Sequence, residues 1–284
     1  MRVASCATIT AAFLALFSAA TAFGGGAVYL DDQGKDPRQD MTGTTMPWST
    51  IGRVSSFIFD PTTKNLKIDL CTGTLIGKHL LLTAAHCVVN ENTDVSKNSL
   101  KSINFAPNYQ GGVATVSSDS ATDPASGQLE TVVGTMDPEH DFADDWAIVV
   151  LNPKDDLSKY GFMDVNSTSN LALPLTVQFA GYSGDYKYGS IAGMENSCQI
   201  VSNFQMGSPN DPKALIYLHS CSAMEGASGG PLFYEENKRY VITAVHTRGA
   251  QTTTLGYQSS EPNIAVWNDH IIQAVQAARL KYEQ

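Results

Sequence analysis

Two strings in the chain contain a base and a carboxylate that could serve one reaction. His86 follows the apolar run 80–83, and an imidazole can take up and return a proton near neutral pH. Asp144 and Asp145 precede the apolar run 146–151, where a partly buried carboxylate needs a partner such as an imidazole N–H. The alternatives are a structural histidine held beside a disulfide and aspartates in a solvated turn.

A third string contains a serine that could act as a nucleophile. Ser228 lies in the glycine-rich run 226–231, and glycines allow consecutive backbone N–H groups to converge on one point. Such a turn can hold the oxygen that becomes negative when a hydroxyl attacks a carbonyl carbon. An ordinary Gly-Ser turn is the alternative interpretation of this string.

The elements that must position these residues are short β-strands. From residue 47 to about 267, β-branched and aromatic runs alternate with clusters of Gly, Asn, Asp and Pro, which is typical of an all-β sandwich or barrel. Residues 160–170 resemble a connection between two halves. Only the C-terminal end predicts a helix, with Asn268 or Asp269 as its cap. Its apolar face would comprise Ile271, Ile272, Val275 and Ala278.

The N-terminal residues predict export. Residues 1–22 combine a positive start, an apolar stretch and small residues before a cleavage site after Ala22, the pattern of a secretory signal. Residues 23–46 are rich in Gly, Asp and Thr, which favours an exposed arm or propeptide. No later stretch is long and apolar enough to span a bilayer. We therefore expect a soluble mature protein in the periplasm or the extracellular medium.

Composition and charge exclude one class of partner. The chain has 18 Lys plus Arg against 28 Asp plus Glu, a net charge of −10. This is the wrong sign for a protein that binds nucleic acid through its phosphates. With 43% hydrophobic residues, the 284-residue chain can bury one large core or two smaller ones.

The cysteines predict disulfides rather than a metal site. Cys6 leaves with the signal, and the four that remain are Cys71, Cys87, Cys198 and Cys221. An even number in an exported chain indicates two disulfides, for which three pairings are possible. No Cys-x-x-Cys pair occurs, which disfavours a zinc site. We therefore predict no metal.

In chain order, the strings around His86, Asp145 and Ser228 resemble those of the chymotrypsin-like serine peptidases. The histidine string ends in AAHC, the aspartate precedes an apolar strand, and the serine lies in GxSGGP. The resemblance implies an all-β fold of two antiparallel six-stranded β-barrels, 47–165 and 166–284. A C-terminal helix would follow the second barrel, and the active site would lie between the two.

The same resemblance assigns catalytic roles. Ser228 would be the nucleophile, and His86 would act as general base and then as general acid. Asp145 would orient the imidazole and stabilise the imidazolium. The backbone N–H groups of Gly226 and Ser228 would form the oxyanion hole. This chemistry requires no metal and no organic cofactor.

The resemblance also implies a disulfide pairing and one departure from the family. The family closes a disulfide around its catalytic histidine loop, which pairs Cys71 with Cys87 and leaves Cys198 with Cys221. Animal members carry an aspartate at the position of Ala227, where it pairs with a new N-terminal amine. Alanine cannot form this ion pair, so activation by the trypsinogen switch is excluded.

Within the superfamily, the chain looks closest to the bacterial glutamyl-endopeptidase-like branch. The strings that carry this likeness are 47–52, 71–77, 181–185 and 244–247. His246 matches the position at which glutamate-specific members place a histidine against the substrate carboxylate, which implies cleavage after Glu. A histidine that only fills the pocket wall is the alternative.

Other substrate-binding residues follow from the same likeness. Those members place a hydroxyl five positions before the nucleophile, where this chain has Ala223, with Ser222 one position earlier. Thr247 matches the position whose hydroxyl supports the catalytic aspartate. Residues Thr247 to Gly249 would form the edge to which a peptide adds as a strand. The expected substrate-binding set is His246, Thr247, Gly249 and Ser222.

We therefore predict a monomeric, secreted serine endopeptidase that acts on protein or peptide substrates and prefers Glu before the scissile bond. We expect no nucleic-acid partner and no membrane association after signal removal. Two alternatives stay open: a non-catalytic homologue that serves as a binding module, and a latent enzyme activated by removal of the segment before Pro47. The remaining histidines are interpreted as loop residues: His79, His140, His219 and His270.

Overall fold

The computed structural model describes residues 26–59, 64, 66–89, 100–112, 116–122, 130–249 and 262–283. The predicted signal, residues 1–22, lies outside the described residues. The strands are β1 (Gln39–Asp40), β2 (Ile51–Phe59), β3 (Leu66–Leu75), β4 (Leu80–Thr83), β5 (Leu100–Pro107), β6 (Ser118–Asp119), β7 (Thr131–Val133), β8 (Ala147–Val150), β9 (Asp164–Val165), β10 (Leu175–Gly181), β11 (Gly193–Gln205), β12 (Leu215–His219), β13 (Pro231–Glu236), β14 (Arg239–Gly249) and β15 (Asn263–Val266).

Helical structure is confined to short turns and one C-terminal helix in the described part of the chain. The helix is α1 (Asp269–Tyr282), and the 3₁₀ turns are Trp48–Thr50, Ala85–Cys87, Phe142–Asp144, Ser158–Tyr160 and Lys187–Gly189. None of the described helices combines the length and the apolar character needed to cross a membrane.

The first half of the chain forms one curled antiparallel sheet with the strand order β6-β5-β2-β3-β4-β8-β7. β2 alternates buried residues such as Val54 with partly exposed ones such as Arg53, because only one of its faces packs on the core. An isolated bridge between Ser120 and Leu151 brings the β6 end back toward β8. Among the described residues, no continuous ladder closes this sheet. It is therefore a half-barrel of seven strands instead of the closed six-stranded barrel that we predict.

The second half forms a closed antiparallel barrel, as predicted. Its strand order is β11-β10-β13-β14-β15-β12, and the pairing of β12 with β11 closes the ring of six strands. Phe179, Ile216 and Ile242 are fully buried in its core. β1 extends the sheet beside β11, and β9 pairs in parallel with β14. The chymotrypsin-like arrangement of two all-β halves and a C-terminal helix is confirmed.

Of the two predicted caps, Asn268 and Asp269, the one that caps the C-terminal helix is Asn268. Its side-chain Oδ1 accepts the N–H of Ile271 at 3.0 Å and so satisfies a donor that the first turn leaves unpaired. The predicted apolar face is buried: Ile271, Ile272, Val275 and Ala278.

The end of this helix packs against the first half of the chain. Arg279 Nε donates to the carbonyl oxygen of Ile76 at 2.9 Å. The Glu283 carboxylate accepts the backbone N–H groups of Lys78 and His79 at 2.8 and 2.9 Å. The helix therefore joins the two halves of the molecule.

The N-terminal segment, for which we predict an exposed arm or propeptide, is exposed only in part. Residues 30–36 are exposed. On one side of them Ala27 forms a β-bridge with Ala223, and on the other Arg38 and Met41 are buried. The described part of this segment therefore packs onto the second barrel at both of its ends.

The disulfide pairing is the one implied by the family resemblance. Cys71 is bonded to Cys87, and Cys198 is bonded to Cys221. The first disulfide joins β3 to the turn that carries His86.

Candidate active site

His86 lies in the 3₁₀ turn that follows β4. Its backbone N–H donates to Asp145 Oδ1 at 3.0 Å, and its ring Nδ1 lies 2.9 Å from Asp145 Oδ2. Because an ionised carboxylate can only accept, Nδ1 carries the proton of the neutral ring and Nε2 is the basic nitrogen. Asp145 therefore fixes both the position and the tautomer of His86.

The aspartate pair is buried, so the solvated-turn alternative is wrong for both residues. Asp145 and Asp144 are each 0% exposed. Asp145 bonds to His86, whereas Asp144 Oδ1 accepts the side-chain N–H groups of Asn268 and Trp146 at 3.1 and 3.4 Å. Asp144 thus supports the start of α1, and Asp145 is the aspartate of the candidate triad.

Arg248 is a charged partner of Asp145 that the sequence analysis missed. Its Nη2 donates to Asp145 Oδ2 at 2.9 Å and to the carbonyl oxygen of Pro138 at 2.6 Å. The guanidinium carbon lies 4.2 Å from the centre of the Phe142 ring. Burial alone raises the pKa of Asp145, but His86 and then Arg248 hold that pKa well below its ordinary value.

Thr247 does not have the role that the family resemblance implies for its hydroxyl. Its Oγ1 donates to the carbonyl oxygen of Ile264 at 3.4 Å, while the donor that reaches Asp145 is the neighbouring Arg248. The side chain on β14 that supports Asp145 is therefore the cation of Arg248, in place of the hydroxyl of Thr247.

Ser228 lies in the turn before β13, beside the backbone that leads to His86. Its hydroxyl donates to the carbonyl oxygen of Thr247 at 3.1 Å, and its own carbonyl accepts the N–H of Thr72 at 2.8 Å. A Cβ placed on the next residue, Gly229, would lie 2.1 Å from the Thr72 oxygen and 3.0 Å from the Ala84 nitrogen. Only glycine permits this close approach of the serine turn to the first sheet.

The predicted oxyanion donors are the backbone N–H groups of Gly226 and Ser228. Gly226 has φ = +94°, and a Cβ there would lie 2.4 Å from the carbonyl oxygen of Tyr182, so a larger residue would displace the turn. Within the described residues, neither N–H group donates to a protein acceptor.

Thr72 of β3 holds this turn from the opposite half of the molecule. Its Oγ1 donates to the Gly226 carbonyl and accepts the Tyr182 N–H, both at 2.9 Å. Its carbonyl accepts the hydroxyl of Thr83 at 2.7 Å. The sequence contained no signal for this role, because threonine is an ordinary residue on a strand.

Ala227 has the surroundings expected of an apolar residue. It is fully buried, and a Cβ on Gly181 would lie 2.8 Å from its own Cβ. This position therefore has little room for the aspartate of trypsin-type members, and the Thr72 contacts hold the turn.

His246 and His219 form a buried pair behind the serine turn. His219 Nε2 lies 3.1 Å from His246 Nδ1, and the rings of Phe179 and His246 meet in a T-shaped contact. Burial lowers the pKa of His246 to about 3 and lowers the pKa of His219 well below its ordinary value. The interpretation of His219 and His270 as loop residues is wrong, because His219 lies on β12 and His270 lies in α1.

Ser222 is buried and bonded to the N-terminal segment. Its hydroxyl accepts the N–H of Tyr29 at 3.0 Å and donates to the Tyr29 carbonyl at 3.3 Å. Its own N–H donates to Glu195, a buried carboxyl whose pKa is raised by burial. The next residue, Ala223, donates its N–H to the Ala27 carbonyl at 3.0 Å. The substrate contact predicted for Ser222 thus competes with contacts to residues 27–29.

The end of β14 offers an unpaired strand edge. Arg248 and Gly249 pair with β15 on one side, where they are opposite Ile264 and Asn263. On the other side, β13 pairs with β14 only as far as Val245 within the described residues. This edge has the backbone groups that an added peptide strand requires.

Among the residues that the structure describes, one group of potential metal ligands includes the candidate base. The ligand atoms of His86, Cys71 and Cys87 lie within 4.8 Å of one another. The two sulfurs are joined in a disulfide, so they cannot supply thiolates to a metal. This group therefore lacks two of its three potential ligands.

Comparisons with known proteins agree with the fold. Residues 71–242 match the family described as the trypsin-like peptidase domain. A solved Glu endopeptidase in complex with MPD is similar, with a TM-score of 0.58 and 20% identity over 86% of this chain and 98% of that one. The protease Anisep from Arthrobacter nicotinovorans gives 0.57 and 18%, over 84% and 96% of the two chains.

A thermostable serine protease, AL20, from an extremophilic microorganism gives a TM-score of 0.52 and 17% identity, over 77% of this chain and 89% of that one. No curated protein sequence matches the chain. Because the family match spans more than half of its residues, the chain belongs to the trypsin-like peptidase family.

Proposed function

We propose that this protein is a serine endopeptidase that cleaves peptide bonds through an acyl-enzyme on Ser228. The observation that carries the proposal is that the fully buried Asp145 bonds to both the backbone N–H and the ring Nδ1 of His86. An imidazole whose Nδ1–H is bonded to a carboxylate has a basic Nε2, which a hydroxyl nucleophile needs. Membership of the trypsin-like peptidase family supports the same chemistry.

The acylation step uses each candidate residue in one role. His86 Nε2 takes the hydroxyl proton of Ser228 as the serine oxygen bonds to the carbonyl carbon. Asp145 stabilises the imidazolium, and the N–H groups of Gly226 and Ser228 donate to the oxygen that becomes negative. His86 then gives its proton to the leaving amine as the C–N bond breaks.

The deacylation step reverses these roles with water as the nucleophile. His86 takes a proton from water, whose oxygen bonds to the acyl carbon, and the oxyanion donors act again. The bond to Ser228 then breaks, and the serine oxygen recovers its proton from His86. A peptide bound along Thr247 to Gly249 as an added strand would present its carbonyl to this site.

A preference for Glu before the scissile bond is the specificity that the buried histidines favour. A substrate carboxylate beside His246 would favour the protonated form of the His246 ring. One N–H of that ring could then donate to the carboxylate, while the Nδ1–H of His246 donates to His219. The similar Glu endopeptidase supports this choice by its name alone.

Export completes the proposal. The predicted signal and the two disulfides both favour an oxidising compartment outside the cytoplasm. Cleavage after Ala22 would retain Ala27, Arg38 and Met41, which pack onto the second barrel. We therefore favour an active form that keeps this segment over one produced by cleavage before Pro47.

The test is the cleavage profile of residues 23–284 on a mixed peptide library. Cuts after Glu that disappear in Ser228→Ala would support the mechanism and the preference. Serine-dependent cuts after other residues would overturn the preference alone. No cleavage, together with no labelling of Ser228 by a fluorophosphonate, would overturn the peptidase proposal and favour a binding module.

A second pair of variants tests the role of His246. His246→Gln should lose the preference for Glu and retain serine-dependent cleavage of other peptides. His140→Gln is the control, because His140 is an exposed histidine paired only locally with Asp137. An unchanged Glu preference in His246→Gln would contradict the role.

A further inference from the structure

We propose that Arg248 is a positioning residue of the triad, and that its permanent charge on Asp145 extends the working pH range of His86 toward acid. The inference rests on the proposed function for its catalytic consequence. It is carried by contacts among Arg248, Asp145 and His86 in the described structure.

Local sequence and sheet geometry explain how an arginine reaches the triad. The pairing of β14 with β15 shifts between His246, opposite Ala265, and Arg248, opposite Ile264. This is a β-bulge at Thr247, which changes the direction of the side chains that follow it. Arg248 is therefore brought to Asp145 immediately after the residue whose carbonyl accepts the Ser228 hydroxyl.

Two further contacts hold the guanidinium in place. The Pro138 carbonyl accepts from the same Nη2 at 2.6 Å, and the Phe142 ring lies 4.2 Å from the guanidinium carbon. The Arg248 side chain is 13% exposed and Asp145 is 0% exposed. Solvent and salt therefore screen this ion pair only weakly.

The shared oxygen determines the sign of the effect. Asp145 Oδ2 lies 2.9 Å from both Arg248 Nη2 and His86 Nδ1, so the two nitrogens are no more than about 6 Å apart. When His86 is neutral, the carboxylate and Arg248 balance each other. When His86 is protonated, two cations share one anion, so Arg248 makes protonation of His86 less favourable.

Other charged groups around this pair come from several elements. Asp144 precedes Asp145, and His246 lies on β14 with Arg248. His270 of α1 lies 4.0 Å from Asp144. The loop around Pro138 carries four more titratable residues: Asp137, Glu139, His140 and Asp141. Among the charged groups, His86 and Arg248 lower the pKa of Asp145, and the charges of Asp145, His86 and Arg248 each also act on the buried His246. A change at Arg248 therefore tests the pair directly.

The experiment is an NMR titration of the His86 ring in the full mature chain, with the resonance assigned from its loss in His86→Asn. Arg248→Gln removes the charge and retains a donor, whereas Arg248→Lys retains the charge. We expect the midpoint of the His86 titration to rise by about one pH unit in Arg248→Gln. We expect it to stay within about 0.3 unit of the wild type in Arg248→Lys.

The same shift should appear in kcat/KM. At pH values well below the midpoint of the acid limb, the ratio of kcat/KM to its plateau value should be about tenfold lower in Arg248→Gln than in the wild type. Arg248→Met, which removes the charge and keeps an apolar chain beside Phe142, should show the same rise and serves if Arg248→Gln does not fold.

An unchanged midpoint in Arg248→Gln or Arg248→Met would overturn the inference. An equal rise in Arg248→Lys would also overturn it, because shape rather than charge would then be responsible. The titration does not require hydrolysis. A protein that shows the shift but cleaves no peptide would overturn the proposed function and leave the effect of Arg248 on His86 established.

Discussion

Replacement of Thr72 by valine should disable the serine turn without a change of side-chain shape. Thr72 is fully buried, and valine differs from it only by a methyl group in place of the hydroxyl. The variant removes the donor to the Gly226 carbonyl and the acceptor of the Tyr182 N–H. Both backbone groups would then be left unpaired or would have to move.

The expected loss follows from those two contacts. An unsatisfied buried polar group costs about 1–3 kcal/mol, so two of them should lower the free energy of unfolding by about 2–6 kcal/mol. A shifted Gly226 also misplaces one oxyanion donor, and loss of such a donor costs about 100-fold in kcat. We expect kcat to fall by about 10-fold to 100-fold in Thr72→Val, with a smaller change in KM.

Equilibrium urea unfolding and steady-state hydrolysis measure the two effects. Thr72→Ser retains the hydroxyl and should keep most of both properties. Thr74→Val is the matched control, because Thr74 lies on the same strand with a buried Oγ1 that has no partner in the described structure. Removal of the Thr74 hydroxyl should leave the free energy of unfolding and kcat nearly unchanged. Wild-type kcat and stability in Thr72→Val would refute the reasoning.

Three further outcomes can be measured on the same protein. Between pH 7.5 and 5, His246 alone should lower the free energy of unfolding by about 2 kcal/mol. The reason is that its pKa is about 3 in the folded state, so His246 of the unfolded chain is protonated first as the pH falls. In urea titrations, His246→Gln should lack this part of the pH dependence of stability. Ala227→Asp should lower stability by about 3 kcal/mol or more, since it buries a carboxylate against Gly181, and a wild-type melting temperature would contradict this. Joint replacement of Cys71 and Cys87 by serine should cost about 3 kcal/mol through the 16-residue loop, as calorimetry would show.

The catalytic candidates could be predicted because each lies in a short string with an unusual composition. A histidine after an apolar strand, an aspartate before one and a serine among glycines are visible without tertiary structure. The all-β architecture was predictable for a similar reason, since strand and turn residues alternate along the chain. These features depend on neighbours in sequence, which a single sequence displays.

The residues that escaped prediction depend on contacts between distant parts of the chain. Arg248 is a charged residue that the sequence gives no reason to bury, and only the bulge in β14 brings it to Asp145. His219 ends an apolar run, and its partner is 27 residues away. Closure of a sheet into a barrel depends on how its end strands pair, which strand patterns alone do not specify.

The C-terminal helix has a consequence for the order in which the molecule assembles. Glu283 supplies the acceptor for the backbone of the β3–β4 turn across 205 residues, and Arg279 bonds to the first carbonyl after β3 across 203. Contacts of such long range form late, because the ends of a long loop must first be brought together. The first half, although synthesised first, therefore obtains its final contacts only when the last turn of the chain has docked.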